Sequence, residues 1–113
     1  MEATTERLKR CDVVSATGRI DSQTAPDLEK AFRRIIDDGR YRIVFDMGGV
    51  EFVSSACLRA MIDAQKTCKR WNRGQVVLAS VPPRIHGALE LAGFVQLFKF
   101  YDDSVKTVGS FYR

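Results

Sequence analysis

Two short apolar runs, 41–46 (YRIVFD) and 75–80 (QVVLAS), constrain this chain more than any other feature. Both are rich in residues that suit a pleated sheet, and both have the length of a buried strand. The segment between them, 55–71, has helical periodicity. Strand, helix and strand in that order make parallel neighbours joined by a right-handed crossover. The alternation continues on both sides. Residues 6–9 form a weak, edge-like strand and 12–17 (DVVSAT) a better one, punctuated by Gly18 and Asp21. A helix then starts at Thr24-Ala25-Pro26-Asp27. Thr24 can cap it, Pro26 fits the first turn, and Asp27 is the acid of a capping box. Ala25, Leu28, Phe32, Ile35 and Ile36 follow at helical spacing, and Gly39 stops the run. Pro82-Pro83 opens a third helix through Leu91, ended by Gly93. Residues 97–100 are a last short strand, and Asp102-Asp103-Ser104 starts a terminal helix with Val105 and Val108 inward.

The order is β-β-α-β-α-β-α-β-α. It predicts one α/β domain over residues 1–113, with a small, mixed, mostly parallel sheet and about four helices packed against it. In such sheets ligands and partners meet the loops at the carboxyl ends of the strands, and the connection from Asp46 to Ser55 lies on that edge.

The apolar runs are too short to span a bilayer, and the N-terminus (MEATTERLKR) lacks a signal-peptide core, so a cytoplasmic protein without membrane insertion is expected. Cys11, Cys57 and Cys68 form no CxxC pair and read as reduced, packed thiols. With His86 as the one histidine, the ligands for a metal site are lacking. No cofactor is expected either. The net charge of +4 is concentrated between Ser55 and Gly74, where five bases (Arg59, Lys66, Lys69, Arg70, Arg73) face one acid, Asp63. The charge belongs to one helix. That helix lacks interleaved aromatics, which argues against direct nucleic-acid binding.

On the second helix, Cys57, Ala60, Met61, Ala64, Cys68 and Trp71 share a core face. Arg59, Asp63, Lys66, Arg70 and Arg73 share the opposite face, and Leu58 and Ile62 lie on the flank between them. The basic stripe is either a solvated face or part of a docking surface. Leu58 and Ile62 are either core rim or the apolar strip of that surface. Ser54 or Ser55 can cap the helix, but a cap needs only one serine. Catalysis by either lacks a base, since His86 opens another helix with no partner acid at a telling spacing. The nucleophile-elbow pattern is absent, because Val53 and Cys57 stand where it needs glycines around Ser55. Gly48-Gly49 lack the lysine of a phosphate-binding loop. The chain is therefore not read as an enzyme. Phosphorylation remains: a helix N-terminus tolerates the added anion, while a docked partner is repelled by about −1.5 to −2 charges.

Four segments together resemble the STAS domain family, most closely its anti-sigma factor antagonists. Gly18-Arg19-Ile20-Asp21 with Thr24-Ala25-Pro26-Asp27-Leu28 is similar to G-R-L-D…T-A-P-E-L. Residues 46–53 (DMGGVEFV) are similar to D-L-S-x-V-x-F-I. Ser54-Ser55-Ala56-Cys57-Leu58 stands where the family writes D-S-S-G-L, and Ala88-Leu89-Glu90-Leu91-Ala92-Gly93-Phe94 is similar to L-E-L-A-G-L. Order and spacing are kept along almost the whole chain. The resemblance implies an antagonist that binds an anti-sigma factor, itself a serine kinase of the GHKL-type ATPase fold, and so frees a sigma factor. The kinase phosphorylates the antagonist and ends binding; a metal-dependent serine phosphatase restores it. By the resemblance Ser55 is the phosphoacceptor. The partner-binding set is Ser54, Ser55, Leu58, Arg59, Ile62 and Lys66, with Asp21 and Gly49 from the first two motifs. Three positions depart from the family pattern: Ser54 replaces the acid, Ala56 the second serine and Cys57 the glycine. Ser54 is thereby a second candidate acceptor. The competing reading is a non-switching STAS subunit, a scaffold in a signalling assembly or a lipid-transport ATPase complex.

Overall fold

In the computed structural model, which describes residues 1–71 and 74–111 (104, 106 and 110 as backbone only), the strands form one five-stranded sheet in the order β1-β2-β3-β4-β5. The strands are β1 (Glu2–Arg7), β2 (Asp12–Ile20), β3 (Arg42–Val53), β4 (Gln75–Ala79) and β5 (Phe100–Tyr101). β1 is an antiparallel edge on β2, and all other pairs are parallel. The helices are α1 (Ala25–Asp37), α2 (Ser55–Lys69), α3 (Pro83–Leu91) and α4 (Ser104–Ser110). This is the small mixed α/β sheet with four helices that the alternation of patterns predicts.

The two apolar runs are continuous because both faces of the sheet are covered. Ile43, Phe45, Val76 and Leu78 point into the main core with Leu28, Phe32, Met61, Cys68, Ile85 and Leu89. Val44, Val77 and Ala79 point the other way, into a second cluster with Cys11, Val13 and Phe111. All three cysteines are buried free thiols.

Several local expectations are corrected. β1 covers Glu2–Arg7 and not 6–9, because the chain turns at Leu8, whose amide donates to the Cys11 carbonyl at 2.9 Å. β2 runs past Gly18, which takes φ +84°, as far as Ile20. β3 does not stop at Asp46: it continues through Gly48-Gly49 to Val53, so the supposed connection is strand. Register shifts against β2 absorb the extra residues. Such bulges bend a strand and increase its twist. Thr24 makes no side-chain cap for α1. The Asp21 carboxylate takes over the turn, accepting the amides of Gln23 (3.0 Å) and Thr24 (3.1 Å). Trp71 lies beyond the end of α2, 52% exposed and stacked on Tyr41. Of residues 97–100, Leu97 closes a 3₁₀ turn (Val95–Leu97) and only Phe100 joins β5. In α4, Val105 is 80% exposed, while Thr107 is buried and Val108 half-buried.

Candidate functional site

β3 hands the chain directly to α2. The Ser54 amide donates to the Ile20 carbonyl at 2.9 Å, tying the start of the helix to the end of β2. Ser54 is the N-cap: its backbone is extended, and its hydroxyl accepts the Cys57 amide at 3.3 Å. The cap is thus assigned to one serine. Ser55 is the first residue of the helix and is exposed. Cys57 is fully buried behind the cap, with its sulfur 3.9 Å from that of Met61. Burial pushes its thiol up to about 12, so it packs as a small hydrophobe and not as a nucleophile.

From Ser55 a groove of ≈ 480 Å³ runs along α2, lined by Leu58, Arg59, Ile62, Asp63 and Lys66, and closed on the other side by Ala92 and Phe94. Leu58 and Ile62 are half-buried: one side of each packs against the main core, and the other lines the groove. Arg59, Asp63 and Lys66 are exposed on its rim. Of the sequence candidates, Ser55, Leu58, Arg59, Ile62 and Lys66 therefore share one surface, and Ser54 abuts it as the cap. Arg70 is exposed further along, and Arg73 lies outside the described residues.

Asp21 and Gly49 do not line the groove. Asp21 follows Ile20, the partner of Val53 in the sheet, so it sits beside the start of α2. The Thr24 amide, and after it the Gln23 amide and the Thr24 hydroxyl, hold its carboxyl below the usual range. Gly49 lies back along β3 opposite Thr17, and a Cβ there would meet the Thr17 Cγ2 at 2.6 Å. Glycine at 49 is thus required by close strand approach. His86, the one candidate base, packs edge-to-face on Phe100 (4.9 Å) and lines a different depression with Ser80, Pro82, Pro83 and Tyr101.

The far wall was not identified from sequence. Phe94 is brought back by the turn at Gly93, φ +79°, and its amide donates to the Leu89 carbonyl at 2.9 Å. The glycine stop was legible, but the place it sends Phe94 was not. Gln65, also missed, is buried on α2. Its Oε1 accepts the Val76 amide at 2.6 Å, and its Nε2 donates to the Leu97 carbonyl at 2.8 Å. It pins α2 to β4 and to the segment that follows Phe94. Phe52, 37% exposed next to the site, carries the Arg19 guanidinium 4.3 Å over its ring.

Among the described residues no group of three or more His, Cys, Asp or Glu side chains could hold a metal ion, and no helix is long and apolar enough to cross a membrane. An exposed hydroxyl at a helix start, an apolar strip and a charged rim suit reversible binding of another protein.

Comparison with known proteins finds relatives along almost the whole chain. The model of the STAS domain matches residues 2–107. The chain is 28% identical over 98 residues to BtrV of Bordetella bronchiseptica, a candidate anti-sigma factor antagonist, covering 87% of this chain and 84% of that protein. An anti-sigma factor antagonist from Mycobacterium paratuberculosis has a similar structure (TM-score 0.87, 24% identity, 99% of this chain and 94% of that one). The Bacillus cell fate determinant SpoIIAA in its phosphorylated form shares the fold at a TM-score of 0.76 and 13% identity, over 96% of this chain and 98% of that one.

Proposed function

The chain belongs to the STAS domain family, and on that premise we propose that it is a cytoplasmic anti-sigma factor antagonist whose docking is switched off by phosphorylation at Ser55. The observation that carries this reading is the division of labour between the two serines. Ser54 is consumed by the cap, while Ser55 stands exposed at the mouth of the groove formed with Leu58 and Ile62. The relationship to BtrV and the shared fold with phosphorylated SpoIIAA support it.

In the unmodified state the partner, an anti-sigma factor with a GHKL-type serine kinase fold, covers Leu58 and Ile62 and sets acidic groups against Arg59 and Lys66. The sigma factor it held is then free. The Ser55 Oγ attacks the γ-phosphorus of the ATP held by the kinase. The bond to the ADP oxygen breaks, and the hydroxyl proton passes to a base of the kinase. The product carries about −1.5 to −2 charges at the groove mouth, which repel the acidic partner surface while the helix tolerates them. A metal-dependent serine phosphatase hydrolyses the ester and resets the switch. All phosphoryl chemistry belongs to the partners; this chain binds.

Pull-down from the source cells, with mass spectrometry of bound proteins and phosphosites, tests the reading. Kinase and sigma-factor machinery bound to the unmodified chain, with phosphate on Ser55, is the expected result. The replacement of the motif acid by Ser54 and of its second serine by Ala56 favours one other reading, a non-switching scaffold. That reading predicts a stable assembly and no phosphate on either serine.

A further inference from the structure

We propose that Arg59 is the intramolecular ion-pair partner of the Ser55 phosphate, so that modification closes a charge clamp on α2 and withdraws a base from the docking groove. The proposal rests on the reading of Ser55 as phosphoacceptor. Ser55 and Arg59 are four residues apart on the helix, both exposed, and both line the same groove. Residues at that spacing lie one above the other on a helix face. Helical side chains lean toward the N-terminus, so the Arg59 side chain reaches back toward Ser55 and not away from it. An anion placed four residues before a cation is also the favoured order of such a pair.

Arg59 is not committed elsewhere: among the described residues no ion pair involves it. Asp63 lies four residues after it, in the disfavoured order, and carries a single charge. The phosphate carries up to two and presents oxygens that a guanidinium can bridge with two parallel hydrogen bonds. Of the other charges near the groove, Arg19 lies over the Phe52 ring at 4.3 Å. Lys66 is eleven residues from Ser55, roughly 16 Å along the axis at the usual rise. Asp21, in the turn beside the helix start, is an acid. The Cys57 amide is already taken by Ser54.

Two effects on docking follow from one event. The groove gains the phosphate charge and loses the free charge of Arg59, so acidic partner groups meet a reversed field. A glycine or an apolar residue at this position would supply only the first effect.

The test places phosphoserine at position 55 by genetic encoding in the full chain, with no kinase, and follows the phosphate by ³¹P NMR against pH. The clamp predicts a second ionisation about 0.2–0.4 unit lower in the wild-type chain than in Arg59→Ala, since the pair favours the dianion. Arg59→Ala should remove that difference and leave only the effect of the helix N-terminus, Arg59→Lys should keep part of it, and Lys66→Ala should leave it unchanged. A titration identical in the wild-type and Arg59→Ala chains overturns the proposal, as does an equal response to Lys66→Ala, which would mark a diffuse field. Failure of a kinase to modify Ser55 would sink the switching reading and leave this titration as it stands.

Discussion

The Ser54 hydroxyl accepts the Cys57 amide at 3.3 Å, so the cap of α2 is held by the serine that stands where the family motif carries an acid. Aspartate and serine are comparable caps, because each offers an oxygen to the first-turn amides. Ser54→Ala should therefore cost about 1 kcal/mol of stability, and Ser54→Asp close to none. Ser55→Ala should be nearly neutral in stability, retain partner binding and escape inactivation. Ser54→Asp should also raise the rate of Ser55 phosphorylation, if the motif acid helps position the hydroxyl. Thermal melts and initial rates at fixed kinase concentration check both halves. A Ser54→Ala variant as stable as the wild type would refute the cap assignment.

Leu58 serves core and groove together. It is half-buried, packed on the main cluster with one side and lining the groove with the other. Leu58→Ala should cost about 1–2 kcal/mol of stability, below the 2–5 kcal/mol typical of a fully buried leucine. It should cost a further ~1–2 kcal/mol of partner binding, in the range of a modest hot spot. Urea melts and surface-binding kinetics on the same variant separate the two. A melting loss with unchanged affinity of the folded protein would remove Leu58 from the docking surface.

How far the sequence specifies this arrangement depends on which interactions are periodic. Residues 41–46 and 75–80 are covered on both faces, so their apolar runs marked strands directly. The helical period likewise put Leu58 and Ile62 on a flank of α2 beside the basic face that carries Arg59 and Lys66. Gly48-Gly49 misled, because glycines usually punctuate; here Gly49 permits β3 to pass close to Thr17 and go on. β1 is exposed along its length and carries no apolar alternation from which its ends could be read. Phe94 reaches the groove from another element, and Gln65 is a polar residue on a core face. Neither placement leaves a local signature.

The Asp21 carboxylate is held below its ordinary value of 3.8, first by the Thr24 amide. A carboxyl depressed in the folded state adds stability above its unfolded value and loses it as the pH falls through the folded one. Stability should therefore decline on acidification below about pH 4. Asp21→Asn, which cannot ionise, should show a shallower decline over that window and a lower melting temperature at neutral pH. Melting temperatures of both proteins between about pH 5 and pH 2 provide the comparison. Parallel curves would show that the turn does not depend on the charge.

The Gln65 side chain joins three elements through two hydrogen bonds, from the Val76 amide and to the Leu97 carbonyl, at a buried position. Gln65→Leu preserves approximate volume but orphans both backbone groups. An unsatisfied buried group costs about 1–3 kcal/mol, and the Leu97 carbonyl is only part-buried, so the variant should lose roughly 2–4 kcal/mol, the upper part of what one substitution does. The second consequence is local. Leu97 follows Phe94 by one short turn, so releasing it loosens the far wall of the groove. Hydrogen exchange should quicken at the Val76 amide and through residues 94–97 before it quickens in β3. Partner affinity should fall although no groove residue has changed. Exchange that quickens evenly across the sheet would mean that Gln65 contributes global stability alone and does not set the wall against which a partner docks.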